Sequence, residues 1–397
     1  MDFSRLIAYL DSLEQRYAVP GFDMIITRDH ETVFRHMGGC SDYEKRVPVC
    51  GRELYYIFSA TKVITMTAAM QLIQQGKMSL DDPVSRYLPE FETMQVADSY
   101  TFGVWPPVIP TLRDPHHPAS TPITLRMLMT MTAGLNYDVA SEPILRLKKE
   151  SGNQATTRVM MKAIAEMPLL FEPGEHYSYS LGHDVIAGVI EVVSGLPFAK
   201  YLEENIFRPL GITEMYFHPD ENQRSRLMAQ FGFNNGSPDS PSVSPMPPEN
   251  NYCLTDRYDS GGAGLCCSVE AYSAFAEALA NGGVGRNGER ILSPEGIALL
   301  GQNQLGERIL PDYQMPWRME YGYGLGVRAL IRPELSPTPL GEFGWDGAAG
   351  AYMLADPVNR ISIFYAQEVR NMLPVYSEIH PTLRNLAYEA LGNIRKQ

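Results

Sequence analysis

The two ends of the chain carry the same pattern, and that repetition restricts the fold more than anything between them. At the N-terminus "MDFSRLIAYLDSLEQRY" places Leu6, Leu10 and Leu13 at helical spacing with charges between them, and "FDMIITRDHETVFRHMG" follows as two short apolar runs around a polar turn at Arg28 to Glu31. At the C-terminus "AYMLADPVNRISIFYAQEV" gives two apolar runs split by Asp356, Pro357 and Asn359. "PTLRNLAYEALGNIRKQ" then returns to helical spacing through Leu383, Leu386 and Leu391. Helix plus hairpin at each end implies one antiparallel sheet covered by the terminal helices.

From about Ser59 to about Gly283 the pattern is mostly helical: "TLRMLMTMTAGL", "TRVMMKAIAEMPLLF", "DVIAGVIEVVSG" and "VEAYSAFAEALANGG" each end at Gly, Pro or an aromatic loop. The expected fold is therefore α/β of the α+β type. Residues 1–58 and 284–397 would form the sheet domain, residues 59–283 an inserted helical domain, and the site would lie at their interface. Two proline-rich stretches, 100–120 and 234–251, break the regularity and read as walls of a site or as surface.

Composition removes several classes of function. A net charge of −13 with no long Lys/Arg run argues against nucleic acid. No window has the uninterrupted apolar length of a membrane span, and the N-terminus has no basic and apolar leader, so a cytoplasmic protein is expected. Five cysteines, Cys40, Cys50, Cys253, Cys266 and Cys267, have no CxxC or metal-finger spacing and read as reduced thiols. No P-loop, H-E-x-x-H or G-x-S-x-G is present, so no cofactor, no metal and no nucleophile elbow are implied. His116 and His117 read as solvent-facing loop residues, and Cys266-Cys267 as small core residues.

What remains is "YIFSATKVITMTAAMQLIQQG", residues 56 to 76. Ser59 is the only serine with a lysine three positions later, and it stands where a strand-like approach meets the start of an apolar helix. Residues i and i+3 share a helix face, so Lys62 Nζ can reach Ser59 Oγ. The dipole and free N–H groups of a helix N-terminus favour an alkoxide-like serine and a neutral lysine. Such a lysine can take the hydroxyl proton and make Ser59 a nucleophile without histidine. The alternative is an N-cap serine beside a snorkelling surface lysine.

Further segments follow in fixed order: "LDDPVSRYLPEF", "TLRMLMTMTAGL", "EPGEHYSYSLGHDVIAGVIEVVSG", "PLGITEMYF", "GGAGLCCSVEAYSAFAEALANGG", "YGYGLGV" and "FGWDGAAGAY". With the Ser59 element they make nearly the whole chain resemble the serine β-lactamase-like hydrolases: class C β-lactamases, penicillin-binding DD-peptidases and the family VIII carboxylesterases. The resemblance implies that Ser59 is acylated, that Lys62 is its partner, and that Tyr179 is the tyrosine of the family's Y-x-N element, with Gly188 nine positions on. Tyr177 is a rival for that role, and His183, four residues after Tyr179 on the same helix, reads as a flank of the site or as a helix-surface histidine. It also implies that Trp345-Asp346-Gly347 replaces K-T-G, and that the N–H groups of Ser59 and Ala348 form the oxyanion hole. A phenol near Lys62 would be held partly ionised and relay the proton.

Departures favour the esterase branch. The chain reads Tyr179-Ser180-Leu181 where asparagine would contact a substrate amide, and Trp345 stands where lysine would hold a carboxylate. The expected substrate is a small-molecule ester, with amide or β-lactam possible in principle. The substrate-binding residues would be Trp345, Asp346, Gly347 and Leu181. β-Lactamase, DD-peptidase or D-aminopeptidase, acyltransferase, and an inactive penicillin-binding-like protein are the alternatives.

Overall fold

Seven antiparallel strands form the sheet that both chain ends enter, in the spatial order β3-β4-β5-β6-β7-β1-β2. The strands are β1 (Gly21–Arg28), β2 (Glu31–Gly39), β3 (Tyr321–Tyr323), β4 (Arg328–Leu330), β5 (Phe343–Asp346), β6 (Tyr352–Asp356) and β7 (Ile361–Gln367). This computed structural model describes residues 1–103, 108–234, 240–392 and 394–395. Residues 104–107 and 235–239 of the proline-rich stretches, and residues 393, 396 and 397 of the terminal helical stretch, lie outside the described residues.

The two ends meet as the sequence pattern predicts: β7 pairs with β1, Met24 facing Tyr365 and Ile26 facing Ile363. Asp29 and His30 turn the first hairpin with φ of 50° and 69°. Two left-handed residues match the twist of a two-residue hairpin loop. The N-terminal helix is broken, however, into α1 (Ser4–Asp11) and a second helix at Leu13–Tyr17. The Ser12 hydroxyl donates back to Tyr9 O at 2.7 Å, the local competition by which serine interrupts a helix.

Alternation along the strands divides the core. Ile363 and Tyr365 of β7 face Leu6, Leu10 and Leu13 together with Leu383 and Leu391 of the terminal helix α5 (His380–Leu391). Phe364, on the other face, stacks on Tyr272 with centroids 4.1 Å apart. Tyr272 belongs to α4 (Val269–Ala280), which packs directly on the sheet. Between α4 and the remaining helices runs α2 (Thr61–Gln74), buried from Thr61 through Leu72, and it contacts α3 (Gly182–Ser194). A helix buried on all sides needs apolar residues on all sides, which is why "VITMTAAMQL" shows no polar stripe.

The middle of the chain also carries small sheets that the helical pattern does not announce. In the second proline-rich stretch Ser242–Met246 pairs with Gln230–Asn234, Pro245 standing opposite Phe231. Ser242–Met246 is the edge strand of its sheet, where proline's missing donor costs no ladder bond. Among the described residues no single helix is long and apolar enough to cross a membrane.

Candidate active site

Ser59 is fixed by the strand before it and the helix after it. Tyr55–Tyr56 pair with Cys266–Cys267, and Ile57 N–H donates to Leu265 O at 3.1 Å. The chain then turns sharply: Phe58 has φ +42°, a conformation a non-glycine residue holds only under tertiary constraint, and Phe58–Ala60 form a single 3₁₀ turn leading into α2. Tyr272 OH donates to Ala60 O at 2.7 Å and clamps that turn against α4.

Lys62, on the first turn of α2, is fully buried. Its Nζ lies 2.7 Å from Gly262 O, 3.3 Å from Tyr137 OH and 3.4 Å from Ser59 Oγ. Gly262 O can only accept, so one N–H of Lys62 is committed to it, while the two hydroxyls can each donate or accept; once neutral, the amine can turn its lone pair to the serine hydroxyl. Burial pushes the Lys62 pKa down to about 7 against the opposing pull of Asp184. Gly262 is required where it stands, since a Cβ there would lie 2.3 Å from Asp184 Oδ2. Asp184 itself accepts from Tyr258 OH, Ser260 Oγ and Gly262 N–H, all through Oδ1, while Oδ2 has no partner among the described residues.

Two phenols close over the pair. Lys62 Nζ sits 4.5 Å from the ring centre of Tyr179 and 5.2 Å from that of Tyr137, and the two rings stack at 5.4 Å. Tyr179 OH accepts from Trp345 Nε1 at 3.1 Å, so strand β5 reaches the site through an indole N–H. Partial ionisation of Tyr179 is not what results: burial raises its pKa far more than contact with Ser59 and Trp345 lowers it, and the phenol stays neutral. Tyr137 is buried and raised likewise. The sequence reasoning missed Tyr137, although it closes "TAGLNY" immediately after a segment already singled out.

The other expected residues divide. Trp345, Asp346, Gly347 and Ala348 line one cavity with Ser59, Tyr137 and Tyr179. The N–H groups of Ser59 and Ala348 donate to no backbone or side-chain acceptor among the described residues, and Tyr376 OH holds Gly347 O at 3.0 Å. Leu181 is a correction: it is buried at the start of α3, its N–H bonded to Asn136 O, and it does not line the cavity. Helix geometry turns it inward, because Tyr179 precedes the helix and Leu181 caps it. Tyr177 lines the cavity but packs on Tyr313 and Tyr323, away from Lys62. His183 is wholly buried, donates from Nε2 to Met129 O at 3.1 Å and does not line the cavity. His117 pairs with Asp98 on the surface.

The cavity encloses about 670 Å³ and is walled largely by aromatic rings, including Tyr100 and Phe102 from the first proline-rich stretch. Among the described residues no group of three or more His, Cys, Asp or Glu side chains is placed to hold a metal ion.

Known proteins resemble this chain over most of its length. The family described as Beta-lactamase matches residues 6–372. The acyltransferase calJ of Penicillium decumbens is 30% identical over 338 residues, covering 79% of this chain and 75% of the relative. Esterase EstB of Burkholderia gladioli is 26% identical over 384 residues, covering 91% and 88%. The solved structure of EstCE1, a hydrolase with promiscuous acyltransferase activity, superposes with a TM-score of 0.77 at 25% identity, covering 97% of this chain and 98% of that one.

Proposed function

The chain belongs to the Beta-lactamase family and is an enzyme of the serine-hydrolase kind; on that premise we propose that it is an esterase working through an acyl-enzyme on Ser59. The single observation that carries the reading is the buried Lys62 Nζ 3.4 Å from Ser59 Oγ. Ser59 Oγ attacks the ester carbonyl carbon while its proton passes to Lys62 Nζ. The carbonyl oxygen, now negative, receives the N–H groups of Ser59 and Ala348, donors held in place before the reaction begins. As the tetrahedral centre collapses, the C–O bond to the alcohol breaks and the leaving oxygen takes a proton from Tyr179, which recovers the one held by Lys62. Water then repeats the sequence in reverse and frees the acid; an alcohol in its place would give acyl transfer.

The aromatic walls and Trp345 at the position of a carboxylate-binding lysine favour neutral esters over β-lactams. EstB and the lovastatin esterase of Penicillium rubens, both named as esterases, support the same preference; calJ and EstCE1 support the acyl-transfer branch. Ser59→Ala assayed on a short-chain aryl ester, with mass-spectrometric detection of the acylated serine in the parent protein, tests the reading. Turnover falls by roughly 10³-fold or more; undiminished turnover overturns it. Efficient hydrolysis of a cephalosporin would count against the preference for esters.

A further inference from the structure

Trp345 and Asp346 are consecutive strand residues and point to opposite faces of the sheet, yet both line the cavity. The cavity reaches both faces because β5 pairs with β4 only at Phe343 and Gly344, so its last two residues present a free edge on that side. Around Trp345 the walls are rings. Around Asp346, beneath α5, they are Arg328, Arg384, Glu320 and His380. The site therefore has an aromatic chamber and a polar one, and the acyl-enzyme chemistry uses nothing in the second.

The polar chamber is not self-satisfied. Asp346 Oδ1 accepts from Arg328 Nη1 at 2.9 Å, while Oδ2 accepts from no group among the described residues. His380 donates from Nε2 to Gly350 O at 3.1 Å, which leaves Nδ1 as an acceptor; that atom is buried without a partner and lies 3.6 Å from Asp346 Oδ1. Two acceptors thus face each other with no proton between them. On the donor side, Arg384 Nη1 bonds Glu320 and Tyr321 OH, and its Nη2 has no acceptor among the described residues. Arg328 and Arg384 stand against Asp346 and Glu320, and behind Arg328, at 3.8 Å, lies a third carboxyl, Glu342, whose pKa burial raises. Burial keeps His380 neutral, its pKa pushed down to about 4.

A carboxylate placed here would meet Asp346 and Glu320, and an ammonium would meet the two guanidinium groups. A neutral group that both donates and accepts meets neither penalty and supplies the missing proton. We infer that the polar chamber binds a hydroxyl group on one arm of the ester substrate, with Asp346 as its acceptor. This rests on the esterase reading and names the substrate class within it.

The test compares kcat/KM for p-nitrophenyl hexanoate with that for its analogues carrying a terminal hydroxyl, carboxylate or ammonium on the acyl chain, and repeats the three substituents on the alcohol arm of hexyl butanoate. The hydroxyl compound of one series exceeds its unsubstituted parent by about tenfold or more, because sites built around a substrate hydroxyl discriminate strongly against its absence. The charged analogues fall below the parent. In Asp346→Ala the hydroxyl-to-parent ratio drops to about one; being a ratio within one variant, it is independent of how much of that variant folds. Turnover of the plain esters with no hydroxyl preference in either series, or with preference for a charged arm, overturns the inference and leaves the esterase reading intact. No turnover of any ester overturns both.

Discussion

Two buried aspartates show how differently this protein treats a carboxylate. Asp356, at the end of β6, receives the N–H groups of Val358 and Asn359, the Asn359 amide and the Tyr388 hydroxyl, so both oxygens are bonded. Asp184, behind Lys62, collects its donors on one oxygen and leaves the other bare. Burying a polar group without a partner costs about 1–3 kcal/mol, so a fold selected for stability alone would not keep it. The comparison separates a carboxylate saturated for structure, at the end of β6, from one left partly free beside Lys62. His183 Nδ1, Tyr313 OH and Tyr323 OH are also unpartnered among the described residues.

The strongest way to break that contrast is Lys62→Met. Turnover of an aryl ester falls by roughly 10³-fold or more, since the base is gone. A lysine whose pKa drops from 10.5 unfolded to about 7 folded opposes folding fully below about pH 7, and the cost fades as pH approaches 10.5. The methionine variant should accordingly gain about 1–4 kcal/mol at neutral pH, read by denaturant unfolding. A loss of stability there would make Lys62 a structural residue.

Asp356→Ala is the mirror experiment. It strands the donors of Tyr388 and Asn359 in the core and should cost about 2–4 kcal/mol, with kcat/KM per folded molecule nearly unchanged. A large catalytic loss would erase the distinction between the two regions. Trp345→Phe removes only the indole donor to Tyr179 and keeps the ring, so a drop of about tenfold in kcat with little change in KM is expected. An effect on KM alone would make Trp345 a wall and nothing more.

The smallest effect sharpens the role of Asp184. Its charge raises the Lys62 pKa, so Asp184→Asn lowers that pKa further, and the acid limb of kcat/KM, expected near pH 7, moves to lower pH. A limb that stays in place, or moves upward, would show that Asp184 does not act on Lys62.

Much of this was legible in the chain. Met24, Ile26, Ile363 and Tyr365 announce their strands because a sheet buried on both faces is filled mostly by apolar side chains, and Ser59 and Lys62 lie one helical turn apart, close enough for local geometry to bring them together. Tyr137 was not legible, since its approach to Lys62 spans 75 positions and no local pattern encodes that distance. Leu181 was misassigned for a related reason: which way a residue at a helix start faces depends on the partner of its N–H, here Asn136.

By itself the sequence determined the family, the antiparallel sheet made from both ends, and a serine with its lysine, because each of these follows from short-range periodicity or from segments in order. The tertiary structure decided the lowered pKa of Lys62 and the raised one of Tyr179, the second phenol, and the polar chamber at Asp346. Those depend on desolvation and on contacts between distant segments, quantities that exist only once the helices and the sheet have closed around the site.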